Sequence, residues 1–180
     1  MAANVRFSSF PRTEAPPSFV ASIVSVFQTH ESLISTLILK KGLTSDAVLS
    51  QLRADLSQLG FSVELGKSSE GKIKRPVFFG ENGMPDLQYE VDAFHADWRC
   101  GLEIEAGRAW MGNAVYRDIV QALVMVELDC LILAVPNGYR YLSGGKSIVS
   151  KDYQNTCAVA DALFGHSRIR MPYKLVVIGY

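Results

Sequence analysis

Hydrophobic and polar positions follow two rhythms along this chain, and each rhythm predicts its own kind of element. Helical spacing places Phe19, Ile23, Val26 and Phe27 on one face, predicting a helix from Phe19 to about Gln28 with Ser18 as cap. Val48, Leu49, Leu52, Leu56 and Leu59 do the same over 46–59, between a cap at Thr44 or Ser45 and a stop at Gly60. Val115, Ile119, Leu123 and Val126 predict a helix over 114–128 behind Asn113, apolar around much of its circumference and so buried on two sides. A further helix is expected from Asp152 to about Phe164. Strands are expected at Phe61–Leu65, Pro76–Phe79 and Lys174–Ile178, and at the continuous apolar run Cys130–Val135, which suits a sheet covered on both faces. Residues 31–41 fit helix or strand, and residues 66–76 and 136–151 read as loops. The expectation is a single α/β domain over 18–180, with a central mixed β-sheet flanked by helices and a helical extension at its N-terminal side. Residues 1–17, with three of the seven prolines, read as a loose arm.

The second rhythm is sharpest over residues 88–105. Tyr89, Val91 and Ala93 alternate with Glu90 and Asp92, and Leu102 and Ile104 alternate with Glu103 and Glu105. Period-two alternation gives each strand one apolar and one acidic face. A turn centred on Asp97-Trp98 sets an antiparallel register with Asp92 opposite Glu103 and Glu90 near Glu105. Like charges directly opposite each other destabilise a sheet. A row of acids without interspersed Lys, Thr or Arg therefore points to a divalent cation. A solvated strand face is the plainer alternative.

Asp92 followed by Glu103-Ile104-Glu105 resembles the metal-binding core of the restriction-endonuclease-like, PD-(D/E)XK nuclease superfamily. Glu105 stands where most members carry Lys, so the likeness is to the minority ExE form, as in BamHI- and BglII-type enzymes. The order of predicted elements after residue 45 extends the resemblance to residues 45–180 as an αβββαβ core with a C-terminal addition. Asp86, in the literal Pro85-Asp86 pair, precedes the strand; Asp92 lies inside it, so Asp92 is the better match.

The resemblance implies an Mg²⁺-dependent endonuclease hydrolysing DNA phosphodiester bonds, restriction-type in its most specific form, with Mn²⁺ able to substitute. Asp92, Glu103 and the backbone carbonyl of Ile104 would hold the metal. Glu105 would orient or deprotonate the attacking water, or bind a second metal. Arg108 and Arg117 are candidates to hold the scissile phosphate, with Gln121 four residues beyond Arg117 on the same helix face. Lys72, Lys74 and Arg75, in the most basic stretch of the chain, suit DNA-backbone contacts; a solvated hairpin tip is the plainer reading there. Double-stranded DNA is the implied partner. A homodimer would let paired subunits cut both strands. The alternative is a catalytically inactive nuclease-like module that binds DNA or protein, and a third reading is a metal-dependent enzyme on a smaller substrate.

Composition narrows the rest. With 180 residues, 48% of them hydrophobic, the chain can bury a sizeable core. Eighteen Lys and Arg balance eighteen Asp and Glu; that argues against nucleic acid unless the charges are segregated. Cys100, Cys130 and Cys157 are odd in number, far apart and form no CxxC, so neither a disulfide framework nor a zinc site is suggested. No signal peptide is read and no apolar run reaches about 18 residues, so a cytoplasmic protein with no membrane partner is expected. Ser143-Gly-Gly-Lys-Ser lacks the glycine a phosphate loop needs at Arg140. His95 is expected to pack, and core packing is the favoured reading of Trp98 and Trp110.

Overall fold

The computed structural model describes residues 4–40, 42–66, 68–107 and 113–180. Its elements in chain order begin with β1 (Arg6–Phe10), α1 (Val20–Thr29), α2 (Glu31–Ile34), α3 (Thr36–Leu39), α4 (Ser45–Gln58) and β2 (Ser62–Val63). Then come β3 (Ile73–Phe79), β4 (Pro85–Val91), β5 (Ala93–His95), β6 (Cys100–Ile104), α5 (Ala114–Val124) and β7 (Cys130–Val135). The chain finishes with β8 (Tyr139–Ser143), β9 (Lys146–Ser150), α6 (Asp152–Gly165) and β10 (Lys174–Gly179).

Six strands form a mixed central sheet in the order β1-β10-β7-β6-β5-β2. β6, β7 and β10 run parallel, while β1, β5 and β2 join antiparallel at the flanks. Alternation along β7 shows why these strands are so apolar. Cys130, Ile132 and Ala134 enter a core shared with α1 and α4, whereas Leu131, Leu133 and Val135 enter a second core on the other face, with α5 and α6. Covered on both sides, such strands have no solvent face to mark with polar residues.

The helix boundaries follow the expected signals within a residue or two, except at α5. Thr44 Oγ1 caps α4 by accepting the Ala47 N–H (3.2 Å). α5 ends at Val124 rather than 128 and is buried on one side only, through Val115, Asp118, Ile119 and Ala122; Val120 and Val124 are exposed. The ambiguous stretch 31–41 resolves into the single helical turns of α2 and α3.

Three other expectations are corrected. The segment expected to be a loose arm supplies β1, whose five residues pair in register with Leu175–Gly179; its terminal Phe10 is buried. The segment 136–151, expected as a loop, is mostly the β8–β9 hairpin. Within the basic stretch 66–76, Ser69–Gly71 forms a single 3-10 turn, and Lys74 and Arg75 lie in β3, paired with β4 in a separate two-stranded sheet. Prolines and glycines marked the ends of these segments, but pairing with distant partners overrode the local tendency to loop. Among the described residues no helix is long and apolar enough to cross a membrane.

Candidate acidic cleft

β5 and β6 form the expected hairpin. Ala93 opposes Leu102, Phe94 opposes Gly101 and His95 opposes Cys100, around a turn at 96–99. At the turn end, His95 stacks on Trp98 (3.7 Å between centroids), Trp98 stacks on Phe19 (4.6 Å), and Phe61 meets both His95 and Trp98 edge-on. His95 Nε2 lies 2.9 Å from the Leu59 carbonyl and Nδ1 accepts the Trp98 N–H (3.3 Å), so both ring nitrogens are engaged. Gly60, at φ +101°, leaves room for that ring: a Cβ there would lie 2.7 Å from Nε2. His95 and Trp98 are therefore packing residues. Trp110 lies outside the described residues.

The open end of the hairpin is acidic. β4 and β5 are one continuous stretch broken at Asp92, where the chain passes from the β3–β4 sheet into the central sheet. The Asp92 carbonyl accepts the Glu64 N–H (2.8 Å) and its carboxylate Oδ2 accepts the Ile104 N–H (2.7 Å), pinning the break to β2 on one side and β6 on the other. In an extended strand the N–H and C=O of one residue leave along the same edge. The Ile104 carbonyl therefore points to the side where Asp92 sits, while Glu105 donates its N–H to Ala134 on the β7 side (2.9 Å). Leu102 and Ile104 are in the α1–α4 core, so Glu103 projects to the opposite face, toward α5.

A cleft of about 490 Å³ opens there, between the end of the hairpin, α5 and the β3–β4 sheet. Glu64, Glu90, Asp92, Glu103 and Asp118 line it, with Lys72, Arg117, Gln121, Gln88 and Tyr89. Lys72 Nζ binds Glu64 Oε1 (2.7 Å) and approaches Glu90 Oε2 (3.4 Å). Glu90 thus pairs with Lys72 rather than lying near Glu105 as the uninterrupted strand implied; the break at Asp92 carries it into the other sheet. Arg117 Nη2 donates to Glu105 Oε1 (2.8 Å) and Nε to Asp118 Oδ1 (2.9 Å).

Burial sets the electrostatics. It raises the Asp92 carboxyl to about 6, against the lowering pull of the Ile104 N–H, and Glu64 and Asp118 add to the rise. Glu103 is pushed well above the ordinary carboxylate range by burial first, then by the charges of Asp92, Asp118 and Glu105. Glu105 rises to about 8 through burial and Asp118, opposed by Arg117. Asp118 is also raised by burial, opposed by Arg117.

The site residues read from the sequence divide into three groups. Asp92, Glu103, Arg117, Gln121 and Lys72 share the cleft, and Glu105 joins them through Arg117. Arg75 and Lys74 do not line it. The Arg75 guanidinium lies 3.9 Å over the Phe94 ring and pairs with Glu127, a packed and neutralised arrangement unlike the phosphate contact expected of it. Lys74 is exposed on β3 opposite Glu90. Arg108 lies outside the described residues.

Two cleft residues were missed. Asp118 sits at the centre of an apolar stripe (Val115, Ile119, Ala122), and a carboxylate at such a position is the signal that could have found it. Glu64 follows a two-residue strand too short for alternation to expose an inward acid.

Among the described residues no three His, Cys, Asp or Glu side chains are gathered into a complete metal-binding group. Asp92 is turned onto a backbone N–H and Glu105 onto Arg117. The donors present are hard carboxylate oxygens without imidazole or thiolate, which suits Mg²⁺ or Mn²⁺ over zinc. A buried carboxylate oxygen, Asp118 Oδ2, has no hydrogen-bond partner, so the residues fit a hard cation. Neither the protein-family models nor the curated protein sequences contain a match to this chain.

Proposed function

We propose that this chain is a divalent-cation-dependent nuclease acting on DNA through the acidic cleft. One observation carries the reading: Asp92 and Glu103 come from adjacent segments of the hairpin into one cleft that also holds two cations, Lys72 and Arg117. A stable fold gains nothing from burying acids that repel; a site for metal and phosphate does. Once the separate β3–β4 sheet between β2 and β5 is set aside, the order α4-β2-β5-β6-α5-β7, with β2, β5 and β6 antiparallel and β7 parallel to β6, supports a reading as the αβββαβ core of the restriction-endonuclease-like superfamily.

In this reading Asp92 and Glu103 would hold Mg²⁺ or Mn²⁺, with the Ile104 carbonyl on the same edge. The bound cation would supply Lewis acidity toward the phosphate and a water more easily deprotonated at neutral pH. Burial and Asp118 hold the Glu105 carboxyl at about 8, so it would serve as base only once the charge of a bound cation lowers it; it would then take the proton of the attacking water and pass it to solvent at the open lip. Arg117 and Lys72 hold phosphate oxygens by charge-assisted hydrogen bonds, and Gln121 offers an amide to the same group. Acting as a homodimer would let two copies cut both strands of a duplex; sedimentation equilibrium tests that part separately.

The inactive binding module is the second reading. The engagement of Glu105 and Asp118 by Arg117 favours it, since a cleft neutralised by its own arginine needs no metal. Incubating the purified chain with plasmid and oligonucleotide duplexes in Mg²⁺, Mn²⁺ or EDTA separates the two. Cleavage in either metal that EDTA abolishes is the expected result. DNA binding without cleavage under all three conditions overturns the nuclease reading in favour of the module.

A further inference from the structure

We propose that the β8–β9 hairpin is a DNA-binding arm that enters the major groove of a duplex, an inference that rests on the reading of the cleft as acting on DNA. The two strands form a ribbon of their own, outside the central sheet. Every residue from Leu142 to Val149 is exposed, so both faces of the ribbon stand in solvent. A two-stranded hairpin alone is marginally stable in water, and this one leaves Leu142 79% exposed near its tip. It is held at its base. Thr36 Oγ1 donates to the Gly138 carbonyl (2.8 Å). Gly107, at φ +81°, admits the Tyr139 hydroxyl, which would lie 3.3 Å from a Cβ at that position. Gly107 follows Glu105 by two residues, and the hairpin rises from the carboxyl end of β7, beside the carboxyl end of β6. The ribbon therefore stands at the edge of the sheet where Glu105 and the acidic cleft lie.

Charge names the partner. The chain as a whole is neutral, but residues 136–151 hold Arg140, Lys146 and Lys151 and no acid. All three are exposed, and none has an ion pair among the described residues. In the β3–β4 hairpin, by contrast, Arg75 pairs with Glu127 and Lys74 faces Glu90. Unpaired cations on an exposed ribbon fit a polyanion. Shape selects the groove. The pairings Arg140–Val149 and Ser143–Lys146 put Arg140 on one face of the ribbon and Lys146 on the other. Entering tip-first, the ribbon presents one cation to each phosphate wall. With side chains on both faces a ribbon is roughly 10 Å thick, so the major groove, about 12 Å wide, admits it and the minor groove, about 6 Å wide, excludes it. Each strand has five residues and so spans roughly 17 Å, more than the groove depth of about 8.5 Å. At the tip Gly144 and Gly145 both have positive φ, with nothing within 4 Å of where a Cβ would stand. This two-residue turn lets bare backbone approach the base edges.

Fluorescence anisotropy of the full chain with a short duplex in EDTA, where metal-dependent cleavage is off, tests the arm. Replacing both Arg140 and Lys146 with Ala is expected to flatten the salt dependence of binding by roughly 0.9 for each phosphate no longer neutralised. Both residues are exposed, and thermal melting should show the double variant folded. Dimethyl sulfate reads the groove, because it methylates guanine N7 in the major groove and adenine N3 in the minor groove. The wild type is expected to shield guanine N7, and the double variant to lose that shielding. A wild type that leaves the duplex unbound, an unchanged salt slope in the variant, or shielding of adenine N3 alone overturns the proposal. So does loss of self-association in Leu142→Asp with duplex binding intact, which makes the ribbon a contact between copies of this chain. The nuclease reading fails separately: ribbon-dependent binding without cleavage in Mg²⁺ or Mn²⁺ leaves the arm standing and retires the nuclease, whereas metal-dependent cleavage by a double variant whose binding is unchanged does the reverse.

Discussion

The two ends of the β5–β6 hairpin are a few residues apart and built on opposite principles. At the turn, Phe19, Trp98 and His95 form a continuous stack with Phe61 across its edge, and both nitrogens of His95 find partners. At the open end, Asp92 and Glu103 crowd beside Glu105 and Asp118, which share the Arg117 guanidinium, and Asp118 Oδ2 has no partner. Neighbouring rings gain from burial and geometry, whereas neighbouring buried carboxylates lose solvation and repel one another. The turn end therefore holds the hairpin, and the open end uses that rigidity to keep acids where they would otherwise separate.

The largest effect that can break this comparison is on chemistry. Glu103→Gln and Asp92→Asn should slow metal-dependent cleavage by on the order of 10²- to 10⁴-fold. Their melting temperatures in EDTA should stay level or rise, because repulsion is relieved. Single-turnover cleavage and thermal melting on the same samples check both halves. Unfolded variants, or variants with full activity, would make the open end structural like the turn.

Trp98→Ala is the reciprocal change. It should cost about 3 kcal/mol of stability, the low end for a large aromatic because Trp98 is only partly buried. Mn²⁺ stoichiometry should be unaffected once the variant is folded. Denaturant unfolding measures the first and calorimetry the second; a missing Mn²⁺ would show that the two ends are not independent.

The pH dependence sharpens the contrast. Asp92 at about 6 and Glu105 at about 8 lie above the ordinary carboxylate range. Below the unfolded value, near about 4, both states hold the proton and the contribution to stability is fully present. As pH rises the unfolded chain releases protons that the native cleft retains, so stability falls, and the loss is complete above about 8. Each retained proton contributes a slope of up to about 1.4 kcal/mol per pH unit. Melting in EDTA from pH 5 to 8 should show this fall, Asp92→Asn should reduce it, and Mg²⁺ should flatten it. A melting temperature that rises over the same range would reverse the assignment of buried, proton-holding acids.

The smallest expected effect concerns the two outlying hairpins. Arg75 is neutralised by Glu127, and Lys74 faces Glu90 across the β3–β4 pair. Arg140 and Lys146, on the β8–β9 hairpin, have no ion pair among the described residues, and residues 136–151 contain no acid. Replacing Arg140 and Lys146 with Ala should flatten the salt dependence of DNA binding by roughly 0.9 for each phosphate no longer neutralised, more than replacing Lys74 and Arg75 does. Fluorescence anisotropy at several salt concentrations measures both slopes, and a larger change from the β3 pair would return the backbone-binding role to β3.

Local pattern determined much of this molecule. Helical spacing located α1 and α4, the unbroken apolar run located β7, and alternation about Asp97-Trp98 set the register that pairs Ala93 with Leu102, one step from Asp92 and Glu103. These are short-range properties, fixed by side-chain periodicity and turn geometry. Tertiary structure decided what depends on distant partners. β1 exists because β10, at the other end of the chain, offers it an edge, and β4 leaves the central sheet at Asp92 because Glu64 and Ile104 hold the break from both sides. Asp118 reads locally as one polar residue on an apolar helix; only the packing of α5 against the open end of β6 makes it part of an acidic cleft. Likewise Arg75 is a cation in the sequence, and only its place over Phe94 beside Glu127 shows that its charge is already neutralised. Periodicity reports which face a residue takes, and the free energy of a charge depends on what that face meets.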